Sequence, residues 1–332
     1  HWWAPDSGGL LAARVDVSPV SEWWLAAPVD PVAAPRPFRY PAAGTANAEV
    51  GLALMDLSGG VVDVDWRRGE FEYLAAVSWS AEGSGAGPPS LVVQSRDQKT
   101  LAVLTVEVTT GATDEVYRVL DDAWVDLVPG VPRWWRGGLL TVEDRGDSRR
   151  LCLDGEVFSP EGLQVRRVVD VEDDAVLAVA SADPVDADVV RVGADGSLEV
   201  VAGGGGVHDA TFGGGVLVVV SSTMDGSTAT VLPGGHEVVS FGEEPAVVPD
   251  PAFHVVGQRD LRAAVLFPTR HDGSVLPVLL DPYGGPHAQR VQRARSVFLA
   301  SQWFADQGFA VVVADGRGTP GRGPAWERAV AG

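Results

Sequence analysis

"VLPVLLDPYGGPHAQ", Val275 to Gln289, decides how the second part of this chain is read. An apolar run enters a proline and a tyrosine, then two glycines, a proline and a histidine. The run Val275–Asp281 has the near-continuous apolarity expected of a strand covered on both faces. Downstream, "SVFLASQWFADQG" (Ser296–Gly308) places Val297, Phe298, Ser301, Phe304 and Ala305 on one side of a helix, with Gly308 as its stop. "FAVVVADGRG" (Phe309–Gly318) is a second apolar strand followed by a glycine loop. Strand, helix and strand with a short connection form a βαβ unit, which implies a parallel sheet. Upstream, "FHVVGQRDLRAAVLFPTR" (Phe253–Arg270) adds two short strands.

Before Pro245 the pattern is different. Short Val-, Leu- and aromatic-rich runs alternate with Gly, Asp and Ser, the pattern of hairpins. Hairpins are expected at Leu52–Trp66, Leu101–Leu120, Leu139–Glu156, Asp188–Ala202 and Gly215–Leu232. Their turns recur roughly every 40 to 50 residues, the period of a four-stranded propeller blade. The fold class expected is therefore a partial β-propeller of about five blades, residues 1–246. The N-terminal part of an α/β-hydrolase domain follows at 247–332. A generic β-sandwich is the competing reading of the first part.

Composition limits the function classes. The 332 residues carry 25 Lys and Arg against 45 Asp and Glu, a formal net charge of −20. Nucleic acid and anionic membranes need a basic face, so neither is an expected partner. No apolar run reaches the roughly 18 residues of a membrane span. Cys152 is the only cysteine, lies in the apolar-flanked "RRLCLDG", and is expected to be packed rather than reactive. The six histidines are scattered without metal-ligand spacing, and neither metal nor cofactor is expected. The abrupt start at "HWWAPDSGG" and the end in a Gly-rich region read as an incomplete piece of a longer protein.

The chemistry concentrates at Pro282-Tyr283-Gly284-Gly285-Pro286, at the carboxyl end of the first apolar strand, where open α/β sheets bind ligands. Tyr283 offers a hydroxyl able to donate to a developing oxyanion, and Gly284 allows close approach of backbone to a substrate. A tight turn with a packing tyrosine accounts for the same residues. "DGRGTPGRG" (Asp315–Gly323) lacks the Lys-Ser/Thr of a P-loop and the spacing of a dinucleotide fingerprint.

The ordered set "PVLLDPYGGPHAQ", "FLASQWFADQGFAVVVADGRGTPGRGPAWERAV", "WWAPDSGGLLAARVDVSPV", "RYPAAGTANAEVGLALMDL" and "VVQSRDQKTLAVLTVEVTTG" resembles the prolyl oligopeptidase family. It looks most like the dipeptidyl-peptidase IV branch. The resemblance implies a serine peptidase that releases N-terminal dipeptides with Pro or Ala in the penultimate position. Tyr283 matches the family's oxyanion tyrosine. Arg133, in Arg133-Trp134-Trp135, corresponds loosely to a propeller loop that reaches toward substrate, with core or rim packing as the other reading.

Other family parts have no match here. No Gly-x-Ser-x-Gly occurs, and the family's serine, aspartate and histidine would follow this stretch. Its amine-anchoring glutamates would precede the first Trp pair, so Glu243-Glu244 reads as a solvated linker pair. His287 precedes any serine and is read as a loop residue rather than a base. This chain alone is expected to be inactive. The parent is expected to be a cytoplasmic homodimer acting on peptides. An acylaminoacyl- or oligopeptidase-type branch, or a non-catalytic propeller binding module, are the alternatives.

Overall fold

Period-two alternation broken by Gly, Asp and Ser turns gives antiparallel strands in fours throughout the first three-quarters of the chain. They are described here from a computed structural model covering residues 1–79, 87–283 and 287–331. Contacts divide the chain into two compact units, His1–Asp126 and Leu127–Gly332.

The first unit holds two four-stranded sheets. One contains β1 (Trp2–Trp3), β2 (Gly9–Asp16), β5 (Glu49–Asp56) and β6 (Val61–Asp63), in that spatial order. Between β2 and β5 the chain makes a separate hairpin of β3 (Glu22–Leu25) and β4 (Arg36–Arg39). The other sheet is a meander of β7 (Tyr73–Ser78), β8 (Ser90–Gln94), β9 (Thr100–Val106) and β10 (Thr113–Leu120). Leu11, Leu54, Trp66, Phe71, Leu91 and Leu104 form their shared core.

The second unit begins with three more meanders. The third sheet has β11 (Arg133–Trp135), β12 (Gly138–Arg145), β13 (Ser148–Leu153) and β14 (Glu156–Val157). The fourth has β15 (Gln164–Val171), β16 (Ala175–Ser181), β17 (Asp188–Gly193) and β18 (Leu198–Ala202). The fifth has β19 (Val207–Gly213), β20 (Val216–Thr223), β21 (Gly226–Leu232) and β22 (His236–Glu237). Trp135 is fully buried between the third and fourth sheets, its indole N–H donating to the Glu172 carbonyl at 2.7 Å. Arg133-Trp134-Trp135 is therefore a strand, not the loop expected from the sequence.

A mixed sheet follows, with β23 (Ala252–Val256), β24 (Leu261–Leu266), β26 (Ala310–Asp315) and β25 (Val278–Tyr283) in spatial order. β25 and β26 run parallel, with Val278 opposite Ala310 and Tyr283 opposite Asp315, and a helix α1 (Leu299–Asp306) crosses between them. A short helix α2 (Pro324–Arg328) ends the described chain. The position expected for the domain boundary, 246/247, lies inside the second unit, between β22 and β23.

Two expectations need correction. β25 is not covered on both faces: its Leu279 side meets the core, while Val278 and Leu280 on the opposite face are 62% and 68% exposed. Phe304 does not share the buried face of α1 and is 43% exposed; Phe298, Ser301, Gln302 and Ala305 are buried instead. A 3₁₀ turn at Arg295–Phe298 precedes α1. At about 100° per residue Phe298, Ser301, Gln302 and Ala305 fall within one arc of about 100°, and Phe304 lies about 60° outside it.

The α/β part and the fourth sheet share one core. Val185, in the loop between β16 and β17, is buried with Ala264, Leu266, Val291, Phe298, Val311 and Val313. Removing two buried methyls and leaving a cavity makes Val185→Ala cost about 1–3 kcal/mol. Chemical denaturation would show this as a lower midpoint with unchanged m. Cys152 is fully buried on β13, and burial pushes its thiol up to about 11. It should resist a thiol reagent in the native protein and react once the chain is unfolded.

Candidate active site

The candidate site stands where parallel β25 and β26 end. Period-two pairing puts Tyr283 and Asp315 opposite each other as the last partners of the ladder. Tyr283 remains 37% exposed. Gly284, expected to line the site, lies outside the described residues.

Asp315 organises the loop that returns from Tyr283. It is 4% exposed, and its two carboxylate oxygens accept the backbone N–H groups of Arg290 at 2.8 Å and Val291 at 3.0 Å. Burial raises its pKa, and those two donors with the Arg290 charge offset only part of that effect. The Arg290 guanidinium turns back to Asp281, two residues before Tyr283, at 2.6 Å. Strand end and loop are therefore tied to one another on both sides of the tyrosine.

His287 sits in this loop with φ of +66°, its N–H donating to the Gly318 carbonyl at 3.2 Å. That bond joins the loop after β25 to the loop after β26. The glycines of the second loop have a packing explanation. A Cβ on Gly321 would lie 2.5 Å from the Arg166 guanidinium, and one on Gly323 would lie 2.5 Å from the Asp147 carbonyl. Close approach of the third and fourth sheets, not phosphate, requires them.

Further contacts seat both loops on the sheets. Arg149 of β13 pairs with the almost fully buried Glu327 of α2 at 2.7 Å, and Glu327 also accepts the Gly321 N–H at 3.2 Å. Arg328 reaches Asp144 at 2.6 Å. Arg293 pairs with Asp186, and its backbone N–H donates to the Val185 carbonyl at 3.0 Å. Arg262 of β24 reaches Asp183 at 3.3 Å. Burial works against the Asp183 charge, but the Val185 N–H and Arg262 outweigh it and hold its pKa below the ordinary aspartate range.

Arg133 is half-buried and pairs with Asp170 of β15 at 2.9 Å. Its guanidinium thus joins the third sheet to the fourth. Glu244 keeps an exposed side chain yet accepts from Arg295 at 2.6 Å. Sequence reasoning missed Asp315, Arg166 and Gln289. Asp315 carried a usable signal, an acid directly ending an apolar strand; the other two carried none. Among the described residues no group of three or more His, Cys, Asp or Glu could hold a metal ion. No helix among them is long and apolar enough to cross a membrane.

Residues 1–157 match the dipeptidyl peptidase IV (DPP IV) N-terminal region, and residues 295–332 match the prolyl oligopeptidase family. Among solved structures, the chain is similar to dipeptidyl peptidase 4 of Porphyromonas gingivalis, at 20% identity and a TM-score of 0.80. That likeness covers 98% of this chain and 50% of the other. A Bacteroides ovatus protein assigned as a dipeptidyl aminopeptidase IV is similar at 19% identity and a TM-score of 0.81, over 99% of this chain and 53% of its own. The chain therefore spans about half the length of these structures, and its fold is that of a β-propeller region followed by the start of a peptidase domain. At both ends, over residues 1–157 and 295–332, the chain is thus similar to the dipeptidyl peptidase IV-like branch of the prolyl oligopeptidase family.

Proposed function

We propose that this chain forms part of a serine exopeptidase that removes Xaa-Pro and Xaa-Ala dipeptides from the free amino end of peptides. The four-stranded sheets of each unit are, in this reading, propeller blades. The recurrence of four-stranded antiparallel sheets, four of the five as uninterrupted meanders, supports it. Arg133 is read as a rim residue near bound substrate, held in place by Asp170.

The observation that carries the reading is Tyr283. It is partly exposed at the carboxyl end of a parallel strand, in register with the buried Asp315 that fixes the returning loop. A phenol on a strand end is a stiff donor. Aimed at the carbonyl oxygen of the scissile bond, it stabilises the charge that develops as a serine attacks. A histidine takes the serine proton and passes it to the leaving amine. The 332 residues hold no Gly-x-Ser-x-Gly, so this chain alone should give no turnover.

The test uses the full-length protein and an unblocked Xaa-Pro anilide. Turnover is expected, and Tyr283→Phe should lower kcat by about 10²–10³-fold with a small change in KM. Absence of turnover would remove the assignment; an unaffected Tyr283→Phe would remove the role. Hydrolysis only of amino-blocked substrates would point to the acylaminoacyl type. Arg133→Met should raise KM by roughly 3- to 30-fold with kcat nearly unchanged, the result for lost uniform binding. A fall in kcat alone would contradict a binding role.

A further inference from the structure

We propose that Arg166, on β15 of the fourth sheet, is a positioning residue that clamps the loops leaving β25 and β26 and thereby sets Tyr283. The proposal rests on Tyr283 being the oxyanion donor described above.

Arg166 spends its guanidinium on three neutral partners. Nε donates to the Ser181 hydroxyl at 2.6 Å, Nη1 to the Gln289 side-chain oxygen at 2.8 Å, and Nη2 to the Pro184 carbonyl at 3.0 Å. Gln289 completes a closed set by donating to the same Pro184 carbonyl at 2.7 Å. The second loop is held by contact, since Gly321 packs so closely on the guanidinium that a Cβ would collide with it. One side chain therefore touches both loops at the carboxyl end of the parallel pair.

From Gln289 the constraint reaches the tyrosine within two residues. Arg290 is the next residue, and its backbone and side chain bind Asp315 and Asp281. Asp315 faces Tyr283 in the ladder, and Asp281 precedes it by two on β25. A displaced Gln289 would release both anchors together.

The choice of residue also argues for placement over simple packing. Burial disfavours the Arg166 charge, and the Glu327 carboxylate offsets that only in part. An apolar side chain would fill such a place at less electrostatic cost. What arginine adds is a rigid fork that fixes three acceptors at once, which lysine cannot reproduce.

The test compares Arg166→Met, Arg166→Lys and Gln289→Leu in the full-length protein, each alone and combined with Tyr283→Phe. The substrate is an unblocked Xaa-Pro anilide, and hydrogen exchange is followed in peptides spanning 287–294. Small displacements of reacting groups cost up to about 10²-fold in rate. Each single variant is therefore expected to lower kcat about 10- to 100-fold with KM within about threefold, lysine behaving like methionine. In the Tyr283→Phe background the further loss should be under about threefold, because both changes remove the same donor. Exchange at 287–294 should accelerate while β18 stays unchanged.

Unaltered kcat, a loss confined to KM, or a full additional loss in the Tyr283→Phe background would overturn the proposal. A Tyr283→Phe that leaves kcat intact would instead sink the oxyanion reading. The exchange data would then still decide whether Arg166 holds the loop, and unchanged exchange would overturn that too. If Arg166→Met fails to fold, Gln289→Leu, which alters a loop side chain only, carries the same comparison.

Discussion

Val185 and the three residues around it join the α/β segment to the fourth sheet. The loop Asp183–Asp186 leaves the fourth sheet, plants a valine in the core of the α/β segment, and surrounds it with polar contacts. Asp183 meets Arg262, the Pro184 carbonyl takes two donors, and Asp186 meets Arg293. The apolar insertion supplies the driving force, since burial is where net stabilisation arises. The polar ring supplies direction, because each ion pair or hydrogen bond is satisfied in only one seating. The mixed sheet thus shares a core with the loop of a β-meander.

The site inherits its rigidity from that joint. Tyr283 comes from a strand whose Val278 and Leu280 are exposed, and is itself 37% exposed. Asp315, Arg290 and Gln289 tie it to the neighbouring strand and to the fourth sheet. Arg149–Glu327 plays the matching part for the loop after β26. Such a buried pair adds little net stability against an apolar replacement, yet losing one member would strand a charge. Its use here is to select one loop position.

The hairpins and the βαβ unit were legible because they are local. Alternation with Gly and Asp turns marked Leu139–Glu156 and Asp188–Ala202, and both are hairpins in the structure. The place of Tyr283 at a strand end was legible from the apolar run before it. Exposure was not: apolarity at Val278 and Leu280 records a tendency to be covered, and cannot name the element that covers them. Phe304 was misplaced because the buried arc of α1 is centred near Ala305 and takes in Gln302, which the apolar pattern passed over. Arg166 and Gln289 stand 123 residues apart, and no periodicity reports such a pairing. In "QVRRVVDV" the arginine reads like any solvent-facing strand residue. Its importance comes from what the fold brings beside it.

The most direct measurement is of products. The full-length protein would be given a free-amino decapeptide with proline second, and the fragments weighed by mass spectrometry. The account requires a dipeptide and its complementary octapeptide as the first products, with an amino-acetylated copy left intact. Internal cuts, release of single residues, or equal cleavage of the acetylated copy would contradict it.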